Sequence, residues 1–159
     1  MNRWAKIVMT LAALATSAWV AAGALGFLVR DDASLALHTL VSFSALLALV
    51  LLHSWVAVFA AWSAIGLRRS APRGTAAAVE LRRIARRTLG ASAAAVLVGG
   101  AQFVVSNLLY PARLSPSAHG FAGAASAIVL ALVLTVQARA LAAHGRIAVG
   151  LASPASEQL

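Results

Sequence analysis

Four long stretches of the chain are apolar without the alternation of a strand, and short polar segments separate them. The first covers residues 7–29, between Lys6 and Arg30; the others cover 34–67, 88–109 and 117–138. Each supplies the roughly 20 apolar residues that a helix needs to cross the hydrocarbon of a bilayer. Their Ala- and Leu-rich composition, without a period-two pattern, argues against a barrel. The pattern therefore predicts an all-α polytopic membrane protein, a single bundle of four transmembrane helices over residues 1–150. Residues 151–159 read as a disordered tail.

The connections fit that reading. "RDDAS" (Arg30 to Ser34) is a short turn in which Asp32 or Ser34 is suited to cap the second helix. "YPARLSPS" (Tyr110 to Ser117) holds two prolines that stop the third helix and start the fourth, with Tyr110 where an interfacial aromatic belongs. The long connection, residues 68–87, ends in "ELRRIARR", a helical pattern that runs towards the third span. "MNRWAK" followed by "ATSAWVAAG" has some look of a secretory leader. Its apolar stretch exceeds the 7–15 residues of such a leader, so an uncleaved anchor helix is expected.

A turn of 100° per residue sorts the faces. Ser42, Leu46, Leu49, His53, Ala57, Ala60 and Ala64 share one side of the second helix, with Trp55, Phe59 and Trp62 opposite. On the fourth helix His119, Gly123, Ser126, Leu130, Val133 and Gln137 align; on the third, Ala91, Ala95, Gln102 and Ser106; on the first, Thr10, Ser17, Ala21 and Ala24. Small and weakly polar faces of this kind let membrane helices approach and hydrogen-bond one another. The second span is also about ten residues longer than its neighbours, so it must tilt, project or break.

Composition sharpens the picture. Hydrophobic residues make up 62% of the 159 and charged residues 11%, against nearer 45–50% and a quarter in soluble domains. The formal charge of +9 suggests nucleic acid until its placement is read. Arg3 and Lys6, the seven arginines of the 68–87 loop, and Arg139 and Arg146 lie on one side; only Arg30 and Arg113 lie on the other. The positive-inside rule then puts both termini and the basic loop in the cytoplasm, so the chain is expected as a multi-pass protein of the cytoplasmic (inner) membrane. Arg82, Arg83, Arg86 and Arg87 are suited to anionic headgroups, and no recognition motif for nucleic acid accompanies them.

The chemistry is sparse. No cysteine is present, and the four acids, Asp31, Asp32, Glu80 and Glu157, all lie outside the spans. Paired-carboxylate catalysis within the membrane is thereby removed, and no phosphate loop replaces it, so an enzyme is not expected. What remains is histidine, costly at membrane depth and able to ligate haem or a metal while neutral. His38 and His119 sit near the outer ends of the second and fourth helices, which run in the same direction, so the two share a depth. If those helices meet, the pair is placed to clamp a haem b iron or a metal ion. His53 lies about 22 Å deeper, with a hydrogen bond to a carbonyl, a serine or Gln102 as its ordinary role. His144 falls in the tail and is expected to be solvated. Membrane b-type cytochromes use paired histidines on facing helices, and the chain is similar to them in that general way alone, with no family motif.

Three readings follow. The first is a non-enzymatic accessory or structural subunit, in a homo-oligomer or a larger membrane complex. The second is a bis-histidine haem b or metal-binding electron-transfer subunit using His38, His119 and His53. The third is a small oligomeric transporter or channel.

Overall fold

The computed structural model describes residues 3–71, 74–109 and 116–152, and these residues form helices joined by short turns. Helix α1 covers Arg3–Leu25 and tightens into a 3₁₀ turn at Gly26–Leu28. Helix α2 covers Asp32–Ser70, α3 covers Ala76–Val104 with a π-helical turn over Val105–Leu109, and α4 covers Pro116–Ala152. All four are long and apolar enough to cross a membrane. Tyr110 and most of the proline-bearing connection, like residues 153–159 of the tail, lie outside the described residues.

Local chemistry sets the helix ends. Asp31, rather than Asp32 or Ser34, is the N-cap of α2. Its carboxylate accepts from the Ser34 N–H at 2.7 Å, and the Ser34 hydroxyl accepts from the Asp31 N–H at 3.0 Å. This reciprocal pair satisfies donors that the first turn cannot use. At its other end α2 stops at Ala71, held extended (ψ 128°) as a residue before proline must be. Gly74, at φ +85°, supplies the left-handed residue that turns the chain into α3. Thr75 then caps α3 by accepting from the Ala78 N–H.

The helices are longer than the apolar spans alone suggest. "ELRRIARR" lies within α3, and α4 continues well past Ala138. Helix α2 is 39 residues long and unbroken, about 58 Å at 1.5 Å per residue. Each helix packs on its sequence neighbour and α4 closes back on α1, which leaves α2 and α4 on the diagonal of the bundle. One apolar cluster joins Trp19, Ala22, Ala45, Leu49, Ala95, Leu130 and Val133. A second, nearer the basic end, joins Ala5, Val8, Ala12, Val56, Ala60 and Leu141.

The expected inner faces of α2, α3 and α4 are the buried or half-buried ones. That of α1 is not. Thr10, Ser17, Ala21 and Ala24 are exposed, and the stripe Ala5, Val8, Ala12, Ala15, Trp19, Ala22 and Gly26 packs inward. Small polar residues occur on two sides of α1, and a hydroxyl can bond a carbonyl of its own helix. Hydroxyls were therefore a poor guide to its interior. Trp55 and Trp62 point outward as expected, at 59% and 78% exposure, whereas Phe59 is half-buried against the second cluster.

Candidate functional site

The histidines divide into three levels along α2 and α4. At the end opposite the basic loop, His38 and His119 come together although their helices are diagonal. Their rings are T-shaped with centroids 6.3 Å apart, and the residues are only 4% and 2% exposed. The 3₁₀ turn that ends α1 lies beside them. A Cβ on Gly26 would stand 2.7 Å from Nε2 of His119 and 3.3 Å from Nε2 of His38. Both nitrogens therefore converge on the space that only glycine leaves there. Phe27 braces the arrangement. Its ring meets His119 edge-on at 5.8 Å, and a Cβ on Gly120 would touch its Cζ at 2.9 Å.

Neither ring nitrogen of His38 completes a hydrogen bond, but the Ala22 carbonyl lies towards the ring. A carbonyl so placed can take the proton of one nitrogen and leave the other as a lone-pair donor. Two hollows flank the pair. One of about 210 Å³ lies between α1 and α4 and includes Gly23, His119 and Gly123. The other, of about 180 Å³, includes Leu25, Leu37 and His38.

No protein-family model, curated protein or solved structure matches the chain. The site must therefore be read from its own geometry. Among the described residues no group of three or more His, Cys, Asp or Glu is placed to hold a metal ion. Two imidazoles alone underfill the four-coordinate shell of a bare zinc ion. Paired imidazoles are a donor set that would suit the iron of a haem.

The second level lies deeper, where each helix contributes one polar residue. His53 is fully buried, and its Nε2 lies 3.2 Å from Thr16 Oγ1. Thr16 spends its own proton on the Ala12 carbonyl at 2.9 Å, so its oxygen accepts from His53 Nε2–H. The Gln137 amide faces the other edge of the ring and donates to Ser92 Oγ at 2.9 Å. His53 Nδ1 and Gln137 Oε1 are left without partners. A half-turn of the amide would satisfy both, with Nε2 towards His53 and Oε1 accepting from the Ser92 hydroxyl. Gln102 bonds Ser106 at 2.8 Å, so the groups that face His53 are Thr16 and Gln137 and not Gln102. Nothing places His53 near the upper pair.

His144 marks the third level. It is buried, with its ring towards the Ser63 carbonyl, in contrast to the solvated position expected for it. The reason is the length of α4, whose inward stripe of Val133, Gln137, Leu141 and His144 runs on below the fourth apolar span. Along α2 and α4 the step from Ser63 to His144 equals that from His38 to His119, so the two helices run parallel and in register.

The arginines expected at headgroups are all exposed, yet they face different surroundings. Arg82 lines a groove with Arg68 and Arg69 where α2 turns into α3. Arg83 pairs with Glu80 at 3.2 Å, an exposed contact that adds little to stability. Arg87 lines a separate groove with Arg139 and Arg146 of α4. The sequence missed Gly26 and Thr16. A glycine at the level of two histidines, and a threonine across from a third, were the signals available.

Proposed function

We propose that this chain is a small membrane electron-transfer protein that holds one haem b between His38 and His119. The observation that carries the reading is the meeting of two buried imidazoles from diagonal helices over a glycine that alone leaves space between them. His38 and His119 would hold such a group, and its iron would supply one-electron transfer. His53 stands apart from this site and binds the four helices together.

We place both termini and the arginine-rich ends of the helices in the cytoplasm, in an inner membrane, from the asymmetry of Arg and Lys. A role as subunit of a homo-oligomer or larger membrane complex is compatible with this.

The test is an absorption spectrum of the protein purified from haem-replete cells. A Soret band that shifts on reduction is expected, lost in His38→Ala and His119→Ala and kept in His53→Ala. Wild-type protein without the band, or a band indifferent to both outer histidines, defeats the proposal.

A further inference from the structure

We infer that the groove between the basic halves of α3 and α4 is a binding site for one anionic phospholipid, with its phosphate held by Arg87, Arg139 and Arg146. The groove has a volume of about 670 Å³, and Ile84, Val136 and Ala143 join the three arginines in its lining. Its one acid is Glu80, already engaged with Arg83 at 3.2 Å. The charge left facing the groove is therefore positive.

The layout is that of a lipid rather than of a free ion. Arg139 and Arg146 are two turns apart on α4, about 10 Å along the axis, and Arg87 faces them from α3. Guanidinium groups bind phosphate oxygens in a planar, bidentate way that ammonium groups cannot copy. Above them the α4 surface turns apolar. Val136 and, one turn further, Leu132 are 40% and 61% exposed, a strip on which an acyl chain can lie. A headgroup clamp directly below an apolar strip matches a molecule charged at one end and oily at the other. The proposal differs from a general attraction of the 68–87 loop to a charged surface, because two of the three cations come from α4. It does not depend on haem.

Native mass spectrometry of the full chain in mild detergent tests it, with cardiolipin, phosphatidylglycerol and phosphatidylcholine offered at equal concentration. One anionic lipid retained per chain is expected, preferred over phosphatidylcholine by about a hundredfold, the order that three basic residues supply. The double variant Arg87→Gln/Arg139→Gln should lose that preference, and Arg82→Gln, in the other groove, should keep it. Wild-type protein that shows no preference overturns the proposal, as does a double variant that retains it. Inorganic phosphate that displaces the lipid at matched concentration overturns the lipid as occupant. The wild-type comparison and the phosphate arm decide the matter even if the double variant fails to fold.

Discussion

At Gly26 one missing methyl group leaves the histidine pair uncrowded. A Cβ there would lie 2.7 Å from His119 Nε2, closer than packed atoms approach, so the ring would have to shift. Gly26→Ala should therefore lower haem retention severalfold, read from the Soret absorbance per chain. Gly100→Ala, with nothing within 4 Å of the added carbon, should leave it unchanged. The depth of His38 and His119 was legible from position alone, because both stand near the start of helices that run the same way. Their meeting was not, since helix order around a bundle depends on packing that no single span records. At the neighbouring turn, the Ser34 hydroxyl and then its N–H hold the Asp31 carboxyl below the usual carboxylate range. A carboxyl depressed on folding contributes stability that is present above its unfolded pKa and is lost as pH falls through the folded one. Thermal melts in detergent should therefore show α2 losing this contribution as pH falls below the ordinary carboxylate range. Asp31→Asn should lack that acid-dependent part.

Among the elements, α1 best shows what periodicity omits. Its two candidate faces are about equally small, and the choice is made across the bundle by His53, which needs an acceptor and finds Thr16. A double-mutant cycle of Thr16→Val and His53→Leu should give a coupling of about 0.6 kcal/mol, the usual size for such bonds in membranes, and no more than about 1.7. Unfolding in mixed micelles measures it, and a coupling of zero would show that the two side chains are mere neighbours. Close approach of α3 to α2 rests on Gly99, where a Cβ would meet Leu49 Cδ2 at 3.0 Å and Leu46 Cδ1 at 3.3 Å. Leucine at 99 should destabilise by about 1–3 kcal/mol, the range for overpacking. Gly100→Ala, whose added carbon meets nothing within 4 Å, should be close to neutral in the same assay.

For the whole molecule, the number and kind of helices were legible in four apolar spans, because without a barrel strand's alternation the helix is what satisfies backbone polar groups in hydrocarbon. Helix length was less legible. Arginines mark where side chains meet water, and they do not stop a helix, so α3 and α4 run on through them. Helix α2, about 58 Å long, far exceeds the roughly 30 Å of hydrocarbon. The turn at Asp31 lies level with the end of α1, so the excess lies at the end that carries Arg68, Arg69, Arg82 and Arg146. The orientation proposed from the positive-inside rule puts that end in the cytoplasm, and projection would keep water around those guanidinium groups. The chain has no cysteine of its own, which makes single-cysteine labelling unambiguous. Ala33→Cys at the start of α2 should react with a membrane-impermeant maleimide on intact cells, and Ala76→Cys at the start of α3 only after the membrane is opened. Both positions are exposed, so a silent site reports the membrane and not burial in the bundle. The reverse pattern would invert the orientation, and labelling of both on intact cells would remove the bilayer from between them.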